Sequence, residues 1–513
     1  MVRNFKFLFY LVGITFLLTS CFEKKQSEEK KEQTTSTFVS KTPNIVLVKV
    51  DDFTQDFLGL RSTNISATPF LDSISKGSTF FENAMVQGVM CTPSRNSFIT
   101  ANYPHELNLY HNLDLKNLPD SIWTFPKALQ KSGYKTLWVG KNHILTLESN
   151  RPTHSPAVYR NNGLCAMGFD YVYESMGRSI VTQMVRQQYN NGAAWKDGKD
   201  TYGDFIDRNN LMEKFCEESD RKLTTLDPDT EYMDGHFTHE AIKVLEQNID
   251  DKPFFLWLNF SGPHHPFDAP FTFHKKFNKV ITKNPISEDE HNYELPKSWK
   301  KNNQKKTLQQ HKTSRRRYLG NIAYMDNQIE RLYEYLTISN QIDNTYFIFV
   351  SDHGITTGDH GLTGKQNLFN QVLKSSLIIK KPRQKEGKVV FQPVELIDLP
   401  KTLLDIANQG NSTSKKVLET VPNGKSLLPY LDNKENTIAD NLAVSQMRDY
   451  MSIVDGNYKL IIGKDTKLLF NMANDPYEIN NTIENEIEKK DEMIDKLLTL
   501  RPKFTSYVNR ISN

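Results

Sequence analysis

Cysteine is scarce in this sequence, which has four such residues among 513. Cys21 falls at the end of an apolar leader, so only Cys91, Cys165 and Cys216 remain for the rest of the chain. Three thiols are too few for a disulfide scaffold. The sequence leaves open whether Cys165 and Cys216 form a bridge or are two buried thiols.

A marked excess of one charge is also missing. The chain has 64 Lys and Arg residues against 61 Asp and Glu residues, a formal net charge of +3. Because nucleic-acid-binding proteins usually carry a clear positive balance, this composition argues against a nucleic-acid partner. A hydrophobic content of 38% is enough for a large packed core, and the length allows one large α/β domain or more than one.

The first twenty residues have the pattern of an export signal. Arg3 and Lys6 precede the apolar run FLFYLVGITFLL, which is too short to span a bilayer comfortably. The run leads into the letters LTSC, ending at Cys21, which resemble a bacterial lipobox; a plain signal peptide with a chance cysteine is the alternative. The charged segment that follows suits a flexible tether. We predict a lipoprotein signal peptide over 1–20, a tether over 21–42, lipidation at Cys21, and an exported protein anchored in the bacterial cell envelope, in the outer membrane and periplasm or at the cell surface.

Strand and helix patterns alternate along the rest of the chain. Helical apolar spacing occurs over 124–134 and 315–336. Near-continuous apolar runs, typical of strands buried on both faces of a sheet, occur over 44–50, 135–140, 252–262 and 344–354. This alternation predicts an α/β fold with a mostly parallel sheet, in which the chemistry gathers at the carboxyl ends of the strands. Near the end, 452–472 predicts a hairpin meander and 483–501 an amphipathic helix.

Charged and imidazole side chains follow several of these strands directly. Taken singly, each has an ordinary explanation, such as a helix cap or a solvated surface group. Brought together at one edge of a sheet, they would form a cation site with a cationic wall around an anion. The set consists of Asp51, Asp52, Lys141, His143, His264, Asp352, His353 and, slightly further along, Lys365.

The pentapeptide CTPSR at 91–95 gives this set a family context. It resembles the C-x-P-S-R signature of the formylglycine-dependent (type I) sulfatases, which belong to the alkaline-phosphatase-like superfamily. Other segments resemble the same family in the same order, among them NIVLVKVDD, GYKTLWVGKNH, KPFFLWLNFSGPHHP and SDHGITTGDHGLTGKQNLF. The chain is most similar to the bacterial carbohydrate sulfatases of this family.

The resemblance implies an alkaline-phosphatase-like α/β sandwich. A large, mostly parallel or mixed central sheet flanked by helices would occupy a catalytic domain over 43–436. A smaller C-terminal subdomain over 437–513 would contain a short antiparallel sheet and a helix.

The resemblance also implies a modified nucleophile and a bound metal ion. A maturation enzyme would convert Cys91 to formylglycine, whose hydrate attacks the sulfur of a sulfate ester and then expels sulfate. The implied metal ligands are Asp51, Asp52, Asp352 and His353, together with residue 91. Three carboxylates make Ca²⁺ the first choice, ahead of Mg²⁺, Mn²⁺ or Zn²⁺, although an imidazole also suits zinc or manganese.

The family pattern implies roles for six further residues. Arg95 would stabilise the oxyanion, and Lys141 and Lys365 would hold sulfate oxygens. His264 would protonate the leaving alcohol, and His143 would assist release of sulfate. His265 is the neighbouring alternative to His264. His360 would bind substrate or, alternatively, make a structural hydrogen bond.

The chain departs from the family pattern beside the active centre, with Asn142 for Trp, Leu145 for Gly and Ala101 for Gly. These changes affect the predicted shape of the loop and hence the substrate subclass. The predicted activity is hydrolysis of sulfate esters of a carbohydrate, an oligosaccharide or polysaccharide such as an algal one. The alternatives are a phosphomonoester, phosphodiester or phosphonate hydrolase of the same superfamily, and a non-catalytic glycan-binding lipoprotein.

Overall fold

The computed structural model describes residues 42–61, 66–114, 116, 118–145, 163–192, 200–221, 225–247, 252–300, 306–409, 414–434 and 441–512. The predicted signal peptide, Cys21 and nearly all of the predicted tether lie outside these residues. Thr42–Asn513 forms one compact unit. Among the described residues, no helix combines the length and the apolar character needed to cross a membrane.

The described residues form fifteen strands. They are β1 (Asn44–Asp51), β2 (Thr79–Met85), β3 (Lys135–Lys141), β4 (Tyr171–Ser175), β5 (Phe254–Pro263), β6 (Thr345–Ser351), β7 (Thr356–Thr357), β8 (Thr363–Gly364), β9 (Lys374–Lys380), β10 (Lys388–Val390), β11 (Val394–Glu395), β12 (Leu442–Met447), β13 (Tyr450–Asp455), β14 (Tyr458–Gly463) and β15 (Thr466–Asn471).

Eighteen α-helices accompany them in the same described ranges. They are α1 (Pro69–Ser75), α2 (Cys91–Thr100), α3 (Pro104–Leu107), α4 (Phe125–Lys131), α5 (Gly163–Ala166), α6 (Arg178–Asn190), α7 (Thr201–Arg208), α8 (Met212–Arg221), α9 (Met233–Gln247), α10 (Phe271–His274), α11 (Lys297–Lys300), α12 (Leu308–Ile338), α13 (Asn370–Leu373), α14 (Asp398–Ala407), α15 (Ser414–Glu419), α16 (Leu428–Leu431), α17 (Ile487–Leu500) and α18 (Thr505–Ser512).

A nine-stranded mixed sheet forms the centre of the molecule. Its order is β10-β2-β9-β6-β1-β5-β3-β4, and β11 also pairs with β2. The pairings of β9 with β2 and with β6 are antiparallel, whereas β6, β1, β5, β3 and β4 are parallel neighbours. The predicted α/β fold with a large mixed sheet is therefore confirmed, and the carboxyl ends of β6, β1, β5 and β3 lie side by side.

Strand β1 shows why apolar and polar residues do not alternate along the predicted strands. Ile45 and Leu47 pack in one apolar core, and Val46 and Val48 pack in the core on the other face. A strand covered on both faces needs an apolar side chain at nearly every position. Lys49 is the exception: its side chain is buried, with Nζ 4.1 Å from the centre of the Phe98 ring.

The C-terminal part has its own antiparallel sheet, in the order β12-β13-β14-β15. Its apolar face packs with α17 and α18 in a third core. The predicted meander and helix are thus confirmed. The domain boundary predicted at residue 436 lies in 435–440, outside the described residues. No disulfide joins Cys165 and Cys216.

Candidate active site

Three buried carboxylates lie where β1 and β6 end. Asp51 is the last residue of β1, Asp52 follows it with a φ of 61°, and Asp352 directly follows β6. Because the two strands are parallel neighbours, with Val50 paired to Ser351, their ends meet. The N–H of Asp52 donates to Oδ1 of Asp352 at 3.2 Å. The predicted clustering of these acids at one sheet edge is present in the structure.

Cys91 is the first residue of α2, and all ten residues of this helix are buried. Its Sγ lies 3.4 Å from Oδ1 of Asp51 and 3.0 Å from Nζ of Lys365. Burial, followed by the charge of Asp51, raises the pKa of the Cys91 thiol to about 12. The unmodified side chain is therefore a protonated thiol at neutral pH, which is a poor nucleophile.

Arg95 lies one helical turn after Cys91 and joins three strands. Its Nε donates to Asp352 at 3.0 Å, Nη2 donates to Asp51 at 3.2 Å, and Nη1 donates to Oδ1 of Asn259 at 3.1 Å. The side chains of Arg95 and both acids have no exposed surface. Burial acts to lower the pKa of Arg95, but the two carboxylates outweigh it and raise that pKa. Arg95 therefore fixes the carboxylates relative to the helix that carries Cys91.

Two lysines complete the cationic wall. Nζ of Lys141, at the end of β3, contacts Oδ2 of Asp51, and Nζ of Lys365 lies 2.8 Å from Oδ1 of Asp52. Burial acts to raise the pKa of Asp52, but Lys365 and its other cationic neighbours outweigh this effect and lower that pKa to about 2. With Arg95, three cations thus face the three carboxylates.

Three of the predicted histidines lie around this cluster. Nε2 of His264 is 3.4 Å from Oδ2 of Asp52, and Nδ1 of His353 is 3.3 Å from Oδ1 of the same residue. His143 adopts a φ of 70°, and its buried Nδ1 has no hydrogen-bond partner among the described residues. Burial lowers the pKa of His264 to about 4. His265 is exposed and stacks on His264, with ring centres 4.3 Å apart.

The same residues offer a suitable donor set for a cation. Within the described residues, ligand atoms lie within 4.8 Å of one another in two overlapping groups, Asp51-Asp52-Cys91-His264 and Asp51-Cys91-Asp352-His353. Nε2 of His353 is buried without a hydrogen-bond partner and lies 4.0 Å from Oδ1 of Asp352. A buried polar atom without a partner is costly, and a shared cation would satisfy it. Three carboxylates and one imidazole fit a divalent ion.

The family of the chain follows from a family model that is described as "Sulfatase" and matches residues 43–409. The chain belongs to the sulfatase family. Sulfatases are hydrolases that act on sulfate esters, and the family normally uses a metal ion and formylglycine. The predicted resemblance is therefore confirmed, and the metal-ligand cluster has a counterpart in the chemistry of the family.

Curated relatives cover most of this sulfatase. A choline-sulfatase of Rhizobium meliloti is 25% identical over 86% of the chain and 83% of its own length. An arylsulfatase of Clostridium perfringens is 26% identical, with coverages of 87% and 92%. An N-acetylglucosamine-6-O-sulfatase of Bacteroides thetaiotaomicron is 23% identical, with coverages of 94% and 88%.

Solved structures share the fold of this sulfatase. A protein in complex with its substrate D-glucosamine-2-N,6-O-disulfate has a TM-score of 0.66 at 20% identity, covering 91% of this chain and 99% of that one. A protein in complex with k-i-k-neocarrahexaose has a TM-score of 0.63 at 20% identity, with coverages of 90% and 92%. The phosphonate monoester hydrolase of Agrobacterium radiobacter has a TM-score of 0.65 at 18% identity, with coverages of 90% and 96%.

Sequence reasoning missed several residues that support the site of this sulfatase. Asn259 binds Arg95, Oγ of Ser94 donates to the carbonyl oxygen of Asp352 at 2.6 Å, and the hydroxyl of Tyr318 donates to the carbonyl oxygen of Asp52. Asn259 is a polar residue inside the apolar run FFLWLNF, a signal that could have identified it. Ser94 is the serine of the C-x-P-S-R signature, but its partner, like that of Tyr318, could not be identified from the sequence because both partners are more than 250 residues away.

Asn142, which replaces the family's Trp, shapes the loop that carries His143. Its Oδ1 accepts from the N–H groups of Ile144 and Leu145 at 2.9 and 3.2 Å, and its Nδ2 donates to Glu174 at 2.6 Å. These bonds close a tight turn directly after β3. The departure from the family pattern is thus accommodated locally, and Lys141 keeps its place beside Asp51.

His360 lies in the interior rather than facing the carboxylate cluster. Its ring stacks on Phe369 with centres 3.7 Å apart, Nδ1 lies 2.9 Å from Nε2 of His291, and Nε2 lies 3.1 Å from Oε1 of Gln371. Both ring nitrogens have protein partners and the side chain has no exposed surface. This arrangement favours the structural alternative for His360 over a contact with substrate.

Proposed function

We propose that this sulfatase removes sulfate from a sulfated oligosaccharide or polysaccharide and that Cys91 is its nucleophile after conversion to formylglycine. The position of Cys91 carries this proposal. It lies at the start of a buried helix, with its side-chain atom 3.4 Å from an Asp51 oxygen and 3.0 Å from the Lys365 ammonium. An oxygen at this position would meet a cation at the distance of a hydrogen bond.

The surrounding residues suit each part of the reaction. A hydrated aldehyde at position 91 would supply one oxygen to attack sulfur and a second to expel sulfate. Lys365 lies 3.0 Å from Sγ of Cys91 and Lys141 lies close enough to act on the pKa of that thiol, so both cations would favour negative charge on the transferred group. His264, with 11% of its side chain exposed, lies at the outer edge of the site. Burial lowers its pKa to about 4, and the negative charge of a bound sulfate ester would act against this shift and favour the protonated imidazole that donates to the departing alcohol. His143 lies close enough to Lys141 and Asp51 for their charges to affect its pKa, which burial lowers, and its proposed role is to act on a proton of residue 91.

Asp51, Asp52, Asp352 and His353 would hold the metal ion, for which Ca²⁺ is the proposed identity. When bound, such an ion would polarise the sulfate oxygens and lower the pKa of the hydrate. The charges of the three acids are already balanced by Arg95, Lys141 and Lys365. A divalent ion therefore adds net positive charge to the site, which favours an anionic substrate.

The carbohydrate assignment is supported by the names of similar proteins. One relative is an N-acetylglucosamine-6-O-sulfatase, and one structure holds a disulfated glucosamine. A choline-sulfatase and a phosphonate monoester hydrolase are similar to a comparable degree, so the assay must include choline sulfate and phosphonates.

The test begins with the mass of the tryptic peptide that contains residue 91, from protein produced with a formylglycine-generating enzyme. We expect the mass of formylglycine, together with release of sulfate from 4-methylumbelliferyl sulfate and from members of a sulfated glycan panel. Cys91→Ala is the inactive control. An unmodified cysteine in fully active enzyme would contradict the mechanism, and cleavage of phosphonate esters alone would contradict the activity.

We also propose that the protein is exported and anchored to the envelope by lipid at Cys21. The support is the basic and apolar leader that ends in Leu-Thr-Ser-Cys. Metabolic labelling with a palmitate analogue tests this directly. Wild-type protein should carry the label and sediment with membranes, and Cys21→Ala should carry none; an unlabelled wild-type protein would contradict the anchor.

A further inference from the structure

A pocket of 370 Å³ lies beside the candidate active site. We call it the rim pocket and define it by Met90, Tyr110, His111, Asp114, Gln366 and Arg448. Its volume is near the lower end of the range of about 300 to 1,000 Å³ that is typical of ligand pockets. It therefore suits one small ring rather than a long chain.

The rim pocket is connected to the nucleophile through the chain on both sides. Met90 directly precedes Cys91, and Gln366 directly follows Lys365, whose Nζ lies 3.0 Å from Sγ of Cys91. On its outer side, the N–H of Thr92 donates to Oδ1 of Asn112 at 3.0 Å. The lining of the rim pocket is therefore one residue away, along the chain, from both Cys91 and Lys365.

The charge in the rim pocket is balanced internally. Nη2 of Arg448 contacts both carboxylate oxygens of Asp114, at 3.0 and 3.1 Å. Asp114 also accepts from the N–H groups of Tyr110 and His111, each at 2.9 Å. Partial burial acts to raise the pKa of Asp114, but these backbone bonds and Arg448 outweigh it and lower that pKa. Asp114 is thus ionised at neutral pH and neutralises Arg448.

Among the described residues that line the rim pocket, none supplies a second fixed cation. Arg448 is the single lysine or arginine among the nine residues that line it. Arg510, which lies behind it and over the ring of Tyr110, is paired with Asp449 at 3.4 Å. The remaining polar side-chain groups of the lining are the Tyr110 hydroxyl, the Gln366 amide and the imidazole of His111; Nε2 of Gln366 lies 3.2 Å from Nε2 of His111.

The lining also provides apolar surface. Val89, Met90, Leu113, Met447 and the ring of Tyr110 line the pocket together with the polar groups. A sugar ring has this dual character, because its C–H faces contact apolar side chains while its hydroxyls bond to amides, imidazoles and carboxylates. A second sulfate or carboxylate would instead need a cation that is not already paired.

We propose that the rim pocket binds an uncharged sugar ring of the substrate beside the sulfate that is removed, and that Asp114 excludes a second anionic group by neutralising Arg448. This inference rests on the proposed function and makes it narrower: the preferred substrate carries a single sulfate in this part of the molecule. Asp114 and Arg448 are specificity-determining residues, since they lie at the leaving group and not at the sulfate.

The experiment compares matured wild-type enzyme with Asp114→Asn and Arg448→Gln on singly and doubly sulfated carrageenan and glucosamine saccharides. We expect the wild type to prefer the singly sulfated member of a pair. Asp114→Asn should shift the ratio of kcat/KM towards the doubly sulfated member by about fivefold, the effect of releasing one exposed ion pair. Arg448→Gln should raise KM for saccharides more than it lowers kcat.

The matched control is Asp229→Asn, which removes an exposed Arg331–Asp229 pair on another part of the surface and should leave all ratios unchanged. A wild type that prefers doubly sulfated substrates, or an Asp114→Asn enzyme with an unchanged ratio, overturns the inference. Hydrolysis of 4-methylumbelliferyl sulfate without cleavage of any saccharide overturns both the inference and the carbohydrate assignment, while leaving the sulfatase reaction intact. If the matured wild type releases sulfate neither from 4-methylumbelliferyl sulfate nor from any saccharide, the proposed function itself is contradicted.

Discussion

Asn259→Leu tests whether the site depends on the support behind Arg95. The two side chains have the same number of heavy atoms, so the change removes an acceptor without opening a large cavity. It leaves Nη1 of Arg95 without its 3.1 Å partner in a location with no exposed surface. A hydrogen bond to a charged group contributes about 1.5 to 3 kcal/mol, so we expect the free energy of unfolding to fall by about 2 to 3 kcal/mol.

Activity should fall as well, because Arg95 is bonded to Asp51 and Asp352 and a shift of about 1 Å in such groups can reduce the rate about 100-fold. The assays are urea unfolding followed by tryptophan fluorescence and kcat for 4-methylumbelliferyl sulfate. Asn408→Leu is the matched control: Asn408 is equally buried but bonds only to neutral groups, Ser132 and the carbonyl of Leu404. It should lose stability without losing kcat.

A change below about 0.5 kcal/mol in the free energy of unfolding of Asn259→Leu, or an unchanged kcat, would contradict this role of Asn259. The first result would mean that Nη1 of Arg95 finds another acceptor after the substitution. The second would mean that the two remaining ion pairs of Arg95 are sufficient to hold the acids.

Three further predictions concern the site and the core. Arg95→Lys should lower the free energy of unfolding by about 2 to 4 kcal/mol, because an ammonium cannot make the three planar contacts of the guanidinium; unfolding in urea equal to that of the wild type would contradict this. Removing metal with EDTA should lower the midpoint of thermal unfolding. Adding Ca²⁺ at about 100 times its Kd should raise the free energy of unfolding by about 2.7 kcal/mol, and Mg²⁺, Mn²⁺ and Zn²⁺ should be less effective. No shift of the midpoint with any of the four ions would argue against the metal site. Burial lowers the pKa of His236 from 6.5 to about 4, so the unfolded chain binds a proton more readily than the folded one between these pH values. The contribution of neutral His236 to the free energy of unfolding is therefore complete above pH 6.5 and is lost as the pH falls towards 4. The loss should reach about 3 kcal/mol, and His236→Gln should flatten this part of the stability profile; an equally steep profile in the variant would contradict the assignment.

The elements and the acid cluster could be predicted because their signals are local. A strand covered on both faces has an unbroken apolar run, and the residues that follow it are placed at the sheet edge by the parallel topology. For this reason Asp51, Asp52, Asp352 and Lys141 were identified from single segments, and the structure brings them together. The apolar periodicity over 315–336 and 452–472 likewise predicts a helix and a meander, and the structure extends that helix to Leu308–Ile338.

The contacts between distant segments could not be predicted. His360 was expected to bind substrate or to be structural, and the stacking on Phe369 that favours the second role depends on how its loop packs. The Arg448–Asp114 pair joins residues that are 334 positions apart. Neither residue belongs to a motif, so no local pattern distinguishes this pair from any other surface charges.

The α/β architecture, the C-x-P-S-R signature and the residue types that meet at the ends of the strands can therefore be predicted from the amino-acid sequence. Only the tertiary structure decided which atoms support them, through Asn259 behind Arg95, and how the rim pocket is charged, through Asp114 beside Arg448. The two kinds of signal differ in the distance over which they act. Apolar periodicity acts over a few residues and is written along the chain, whereas a hydrogen bond or an ion pair acts over about 3 Å in space, between side chains that only the complete packing brings together.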